Sequence, residues 1–259
     1  MSALRLMCVL AHPDDESLGT GGTLAKYAAA GVETFVVTAT RGERGRFGEG
    51  GDRPAPDVVG ATREAELRAA AIELGVREVV VLGYPDGALD SVDPAVVQLA
   101  IAVQLRRIRP HVVITFGSEG AYGHPDHIAI SQLTTAAIVR AADREFPVAK
   151  LYHIAWSAST WAAYQAALKT LISTVDGVER RVVPSPDWGI TTRVDTSDVW
   201  PTVWRAVQCH RTQMSIYKNL EGLPPEHHRA LWGVQEFYRV FSLVSGGRAQ
   251  ETDLFEGLR

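Results

Sequence analysis

The strongest constraint on the fold is a regular alternation of strand-like and helix-like segments over residues 1–155. The segment Leu4–Ala11 (LRLMCVLA) is a short, nearly continuous apolar run, which is typical of a strand buried on both faces. Four more strand-like runs follow, each reached through a helical pattern: Val32–Ala39, Glu78–Leu82, Val112–Thr115 and Leu151–Ile154. This order predicts an α/β fold, a Rossmann-like and mostly parallel sheet with helices on both faces.

The helical patterns between these strands end at recognisable signals. Gly31 and Gly75 follow two of them, and Pro94 opens a third at its first turn. The predicted helices are Thr20–Ala30, Ala61–Leu74, Pro94–Arg109 and Pro125–Arg144. We expect one domain over residues 1–259, with 1–155 as its core.

The last hundred residues are less regular, and we expect them to form a cap on the sheet or an extension of it. Helical patterns cover Trp161–Leu171, Val199–Gln208 and Glu226–Trp232, and strand-like runs cover Thr191–Val194 and Phe237–Val244.

Composition excludes several classes of protein. The chain has 259 residues and a formal net charge of −4, without a basic block, so neither nucleic acid nor an acidic membrane surface is an expected partner. Two cysteines are too few for a disulfide framework, and no apolar run reaches the ~18 residues of a membrane span. Met1 leads directly into the first strand without a signal-peptide pattern, so we expect a cytoplasmic protein. The composition is compatible with a small-molecule substrate and with a homo-oligomer, and it specifies neither of them.

Polar side chains cluster just after the strand-like runs. In an open parallel sheet, ligands bind beyond the carboxyl ends of the strands, where the strand order reverses. Four polar segments follow four strands and should meet at one rim: His12–Glu16, Arg41–Gly45, Tyr84–Gly87 and Gly120–His127. This rim is the predicted functional site.

Histidine and carboxylate occur together in two of these segments. His12 lies in the first, and His124 and His127 lie in the second. A single histidine in such a place is most often packed or on the surface, but two such clusters at matching strand ends indicate a metal. Imidazole and carboxylate suit zinc, or else iron or manganese, and a catalytic zinc has three protein ligands with a fourth position open to water.

The adjacent acids Asp14 and Asp15 have two interpretations. In the first interpretation, one of them caps the N-terminus of a helix or lies in its first turn, where the helix dipole stabilises a negative charge. Alternatively, because neighbouring side chains leaving a loop point in different directions, one binds the metal and the other serves as a general base.

Two other kinds of site are poorly supported. The glycines at 19, 21 and 22 do not complete a dinucleotide fingerprint, since Leu24 stands where the last glycine is required. These small residues are expected to let a helix pack closely on the sheet. A serine hydrolase is disfavoured because no GxSxG motif is present.

Together these motifs resemble the LmbE-like (PIG-L) family of metal-dependent deacetylases. The resemblance rests on Ala11–Glu16 (AHPDDE) and His124–His127 (HPDH), and it is specific because both occur in order at strand ends. Leu82–Gly87 (LGYPDG) and His210–Gln213 (HRTQ) are similar to further segments of the family. The similarity covers roughly residues 4–145 well and is weaker beyond them.

The resemblance implies zinc-dependent removal of an N-acyl group, usually acetyl, from an N-acetylglucosamine-type conjugate. By position, His12, Asp15 and His127 match the metal ligands, and Asp14 matches the general base. His124 matches the residue that stabilises the oxyanion. The two remaining assignments are Asp126, expected to orient His124 and favour its protonated form, and Arg63, expected to bind substrate hydroxyls or else to lie on a helix surface.

Other functions are also compatible with the motifs. An amidase of the same family acting on a thiol-sugar conjugate is the nearest alternative. An iron oxygenase uses the same two-histidine, one-carboxylate set. A sugar-binding module without catalysis would not need the Asp14/His124 pair. The glycine-rich segment Thr40–Gly60 is expected to be either a lid on the site or a surface insertion.

Overall fold

A computed structural model of the chain describes residues 3–49, 53–143, 147–168, 172–175, 177–244, 247 and 249–259. Its strands are β1 (Arg5–Leu10), β2 (Glu33–Thr40), β3 (Glu78–Tyr84), β4 (Val112–Thr115), β5 (Lys150–Ala155), β6 (Ile172–Val175), β7 (Val178–Arg181), β8 (Thr192–Asp195) and β9 (Val234–Ser242). Its helices are α1 (Asp15–Ala29), α2 (Pro56–Glu73), α3 (Pro94–Ile108), α4 (Gly120–Gly123), α5 (Pro125–Ala141), α6 (Ala158–Leu168), α7 (Trp200–Cys209), α8 (Met214–Glu221) and α9 (Pro225–Trp232).

Seven of these strands form the main sheet, in the order β3-β2-β1-β4-β5-β9-β8. The first five are parallel, and β9 and β8 join antiparallel to their neighbours. The predicted α/β fold is therefore confirmed, and the first five strands lie within two residues of their predicted bounds.

The strand order reverses at β1. The chain runs outward from β1 to β2 and β3, then returns to place β4 on the other side of β1. β1 is almost completely buried, as its apolar sequence predicts. The loops after β1 and β4 therefore leave the same rim side by side.

The first helix begins earlier than predicted. α1 begins at Asp15 rather than Thr20, so Gly19 lies inside the helix together with Gly21 and Gly22. A Cβ on Gly22 would come within 2.8 Å of Thr196, and one on Gly21 within 3.2 Å of Val203. The close approach that Gly21 and Gly22 permit is therefore with the C-terminal segment that includes α7. Gly19 faces the sheet as predicted, where a Cβ would lie 3.4 Å from Ile154 of β5.

The C-terminal part is both an extension and a cap. β8 and β9 extend the sheet, while the four helices α6–α9 bury a second apolar cluster that includes Trp161, Tyr217 and Trp232. Two elements in this part were not predicted, the β6–β7 hairpin and α8. Within the described residues, no helix is long and apolar enough to cross a membrane.

A buried polar network fastens the extension to the core. Glu251 is 2% exposed, and its carboxylate binds Lys150 at 2.8 Å, Tyr152 at 2.7 Å and Arg239 at 2.7 Å. Burial acts to raise the pKa of Glu251, but the hydrogen bonds that it accepts hold this pKa at about 2. The folded state therefore favours the ionised form of Glu251 over the protonated form.

We expect Glu251→Gln to lower the free energy of unfolding at pH 7 by about 3 kcal/mol, since it leaves buried cations without their partner. Because the folded-state pKa lies below the usual 4.5, the difference from wild type should be constant above pH 4.5 and disappear as the pH falls toward 2. Denaturant unfolding at a series of pH values measures this. Glu226→Gln, at an exposed position, is the control, and a difference that does not depend on pH would contradict the assignment.

Candidate active site

The turn between β1 and α1 positions the first group of side chains. The Asp15 carboxylate accepts hydrogen bonds from the backbone N–H of His12 at 2.8 Å and of Ala11 at 3.2 Å, which closes the turn. Asp14 has a left-handed backbone with φ of 111°. Such a conformation is strained for a residue with a side chain and is concentrated at functional sites.

The segment after β4 supplies the second group. His124 immediately precedes α5, and His127 lies in the first turn of that helix. The ring of Phe116 stacks on that of His127, with centroids 3.9 Å apart and planes at 9°. This stacking fixes the orientation of the His127 ring.

The two groups meet in a triangle of three residues that can bind a metal, His12, Asp15 and His127, which we call the ligand triangle. Nδ1 of His12 lies 3.2 Å from Nε2 of His127. Oδ2 of Asp15 lies 3.7 Å from the His12 nitrogen, and Oδ1 of Asp15 lies 3.5 Å from the His127 nitrogen. Ligands bound to a tetrahedral zinc at ~2.0–2.1 Å are separated from one another by about 3.3 Å. The two imidazole nitrogens are at this separation, and with the Asp15 carboxylate beside both of them they form a donor set that suits a divalent cation such as zinc.

The other ring nitrogen of His12, Nε2, is held by two carboxylates. This nitrogen lies 3.1 Å from Asp126 and 3.1 Å from Asp86, and Asp126 also accepts from the backbone N–H of Gly87 at 2.7 Å. Burial acts to lower the pKa of His12, but the hydrogen bonds with Asp126 and Asp86 raise it to about 10. Such a carboxylate partner orients a ligating histidine and increases its basicity.

Asp14 contacts two side chains from other elements. Its Oδ2 accepts from the hydroxyl of Tyr217 at 2.8 Å and from the guanidinium of Arg63 at 3.2 Å. Arg63 is 4% exposed, and it also donates to the carbonyls of Gly42 and Pro13. It is therefore not a helix-surface arginine, and its side chain braces the turn that carries Asp14.

These residues line a cavity of about 360 Å³. Part of the cavity lining is aromatic and includes Trp156, Trp161 and Tyr164. The Tyr164 hydroxyl donates a 2.7 Å hydrogen bond to the carbonyl of Leu18, which fixes its ring. The cavity joins a polar end at the rim of the sheet to an apolar wall from the C-terminal cap.

Comparison with known sequences identifies the family. A profile described as "PIG-L: GlcNAc-PI de-N-acetylase" matches residues 7–138, which is half of the chain. The chain belongs to the PIG-L family. The family is one of amide hydrolases, and the predicted enzyme class, a deacetylase, is confirmed.

Relatives and solved structures agree with this placement. A 1D-myo-inositol 2-acetamido-2-deoxy-alpha-D-glucopyranoside deacetylase of Rhodococcus opacus is 37% identical over 83% of this chain and 84% of its own. The N,N'-diacetylchitobiose deacetylase of Pyrococcus horikoshii has the same fold, with 20% identity over 92% of this chain and 84% of its own and a TM-score of 0.68. The hydratase GalB of Pseudomonas putida KT2440 shares the fold as well, at 20% identity over 95% of this chain and all of its own, with a TM-score of 0.67. Because a deacetylase and a hydratase share this fold, the fold alone does not determine the reaction, which depends on the side chains of the site.

The PIG-L motifs are brought together largely as predicted, with one correction at Asp126. Its carboxylate binds His12 and does not orient His124; only its backbone N–H reaches His124, donating to Nδ1 at 3.2 Å. Burial and the neighbouring His12 lower the pKa of His124, which disfavours the protonated form expected from the sequence. With Nδ1 as an acceptor, neutral His124 carries its proton on Nε2.

Sequence reasoning assigned no individual role to three neighbours of the site, Asp86, Tyr217 and His210. Asp86 lies in Tyr84–Gly87, one of the four segments predicted to meet at the rim, but its contact with His12 was not predicted. Tyr217 and His210 come from the C-terminal cap, where no periodicity placed them beside the first loop. His210 does lie in the HRTQ segment, the one available signal.

The connection between β2 and α2 is shorter than the predicted segment Thr40–Gly60, because α2 already begins at Pro56. Its described residues contact the site: the backbone N–H of Arg44 donates to Asp86 at 2.7 Å, and that of Gly48 donates to the carbonyl of Thr212 at 3.0 Å. Whether it opens as a lid stays a prediction.

The contact between Asp126 and His12 predicts an effect on metal affinity. We expect Asp126→Asn to weaken zinc binding by about 10–100-fold, because the neutral amide no longer orients and polarises His12. Competition with a chromophoric chelator measures the affinity. Asp90→Asn, at an exposed position beyond the site, is the control. Unchanged zinc affinity in Asp126→Asn would show that the Asp126 carboxylate does not act on a ligand.

Proposed function

We propose that this chain removes the N-acetyl group of an N-acetylglucosamine conjugate, with zinc held by His12, Asp15 and His127. The observation that carries the proposal is that Asp14 and His124 line the same cavity as these three residues. The ring centroid of His124 lies 4.7 Å from that of His127, and Asp14 is adjacent to Asp15 in the chain. Amide hydrolysis by water needs such a base and such an oxyanion donor beside a Lewis acid.

The donor set suits zinc, and iron(II) or manganese would be accepted by the same ligands. When bound, zinc lowers the pKa of water toward about 7 and polarises the amide carbonyl.

Asp14 is the proposed general base. Its carboxylate takes a proton from the attacking water and delivers it to the amine nitrogen as the C–N bond breaks, so acetate and a free amine leave. Tyr217 and Arg63 both donate to Oδ2 of Asp14, which fixes the carboxylate and leaves Oδ1 for the proton.

His124 is the proposed oxyanion donor. Its proton lies on Nε2, so the neutral ring can donate to the amide oxygen as negative charge develops there. Loss of one such donor typically costs ~3–4 kcal/mol of transition-state stabilisation. Protonation of His124 is not needed for this role.

The cavity and the relatives together indicate the substrate class. A volume of about 360 Å³ suits a small molecule, and the aromatic side chains of Trp156 and Trp161 offer faces on which the apolar face of a sugar packs. Arg63 lines the same cavity and is our candidate for a substrate hydroxyl. Since the Rhodococcus relative is named for a glucosaminyl inositol, we propose an amino sugar joined to a cyclitol, the precursor type of a thiol-sugar conjugate.

Release of free amine from a panel of acetylated sugars tests the proposal. We expect the zinc-loaded protein to hydrolyse the inositol conjugate faster than free N-acetylglucosamine or N,N'-diacetylchitobiose. Hydrolysis of a finished thiol-sugar conjugate instead would favour the amidase alternative. No amine from any of them, together with iron retained by anaerobically purified protein, would support the oxygenase.

The two adjacent aspartates should respond differently to the same change. Asp14→Asn should keep zinc and lower kcat by about 10²–10⁴-fold, the usual cost of losing a general base. Asp15→Asn should lose zinc affinity, because it replaces a charged ligand with a neutral one. Metal analysis and kcat under saturating zinc distinguish the two variants.

The opposite pattern, in which Asp14→Asn loses zinc and Asp15→Asn retains it, would exchange the two roles. If Asp14→Asn keeps both zinc and a near-normal kcat, the general-base mechanism is wrong.

A further inference from the structure

Two buried ionisable side chains lie beside the site and take no part in the reaction described above. Glu16 and His210 are both 0% exposed. Nε2 of His210 lies 2.7 Å from Oε1 of Glu16, and the hydroxyl of Ser17 donates to the same oxygen. Because a buried carboxylate without a partner is costly, His210 is what makes Glu16 tolerable at this position.

The second oxygen of Glu16 acts on the backbone of Asp14. Oε2 accepts the Asp14 N–H at 3.0 Å. Asp14 is one of three non-glycine residues with positive φ in the described part of the chain. A left-handed residue with a side chain persists only where its surroundings hold it there. The charge-assisted hydrogen bond to Glu16 is such a restraint, and it is stronger than one to a neutral acceptor.

The segment that begins at His210 reaches Asp14 a second time. A 3₁₀ turn, Arg211–Gln213, leads from His210 into α8, where the Tyr217 hydroxyl donates to the Asp14 carboxylate at 2.8 Å. One C-terminal segment thus contacts Asp14 at its carboxylate directly and at its backbone through Glu16. Neither contact involves a residue of the ligand triangle.

The position of Glu16 is electrostatically unfavourable. It places a third carboxylate beside Asp14 and Asp15, and like charges in one buried site oppose ionisation of each other. A helix start does not need this arrangement, since an uncharged side chain can accept a backbone N–H there.

We propose that the Glu16–His210 pair is a positioning device for Asp14. The pair holds the Asp14 backbone in its left-handed conformation, which directs the carboxylate into the cavity. This inference rests on the proposed function, since it takes Asp14 as the general base. Glu16 and His210 act through Asp14 and do not touch substrate.

A double-mutant cycle tests the proposal. In the wild-type background, Glu16→Ala should lower kcat by about 10²-fold, the cost of displacing a reacting group by about 1 Å, with KM within about threefold. In the Asp14→Asn background, the same change should lower kcat by less than about threefold, because the group that Glu16 positions is already absent. A purely structural role for Glu16 would lower kcat equally in both backgrounds.

Glu16→Gln provides a second cycle that does not depend on Glu16→Ala folding. Its amide oxygen can still accept the Asp14 N–H, though as a neutral and weaker acceptor, so we expect a loss of about tenfold that again disappears in Asp14→Asn. Zinc content should stay near that of the wild type in both Glu16 variants.

Glu66→Gln is the matched control. Glu66 is also a buried acid that fastens the same segment, accepting from the backbone N–H of Thr212 at 2.8 Å, but it does not contact Asp14. It should lower the midpoint of thermal unfolding and leave kcat within about threefold.

Each outcome decides between the claims. The positioning role would be overturned if Glu16→Gln lowered kcat equally in the wild-type and Asp14→Asn backgrounds. It would also be overturned if both Glu16 variants had a normal kcat. Either result would leave Asp14 as the general base. A normal kcat in Asp14→Asn alone would overturn the proposed function, and the positioning role with it.

Discussion

The site depends on the parallel pairing of β1 with β4. Leu6, Met7 and Cys8 pair with Val112, Val113 and Ile114, while the other edge of β1 pairs with β2. This reversal of strand order leaves no helix crossing between the two loops, so their histidines and acids meet at one rim. A different strand order would place the same motifs at different parts of the sheet edge, and no ligand triangle would form.

The charges at this rim are balanced by specific partners. Asp126 and Asp86 both contact His12. Asp14 accepts hydrogen bonds from Arg63 and Tyr217, and Glu16 contacts His210. Buried ion pairs of this kind contribute little net stability, because desolvation offsets their attraction. Their value here is orientation, since each pairing holds a side chain or the backbone of the site in one position.

The C-terminal part completes a site whose motifs lie almost entirely in the first half of the chain. It supplies the aromatic wall of the cavity, the hydroxyl on Asp14 and the imidazole on Glu16. It is also attached firmly, through β9 on β5 and through the carboxylate of Glu251. Substitutions in this cap are therefore expected to alter both the substrate pocket and the setting of Asp14, the proposed general base, without changing the proposed metal ligands.

Local pattern determined the α/β class, the first five strands and the residues that would meet at the rim, because apolar periodicity and strand ends are properties of short segments. AHPDDE and HPDH were sufficient to name the family. The tertiary structure decided which atoms face which. The Asp126 carboxylate faces His12 because the backbone N–H groups that follow β3 hold it there. Arg63 is buried because α2 packs against the loop that follows β1. Tyr217 and His210 lie about 200 residues from Asp14 and Glu16. No local periodicity encodes such a contact, which exists only once the sheet and the cap have closed around the same turn.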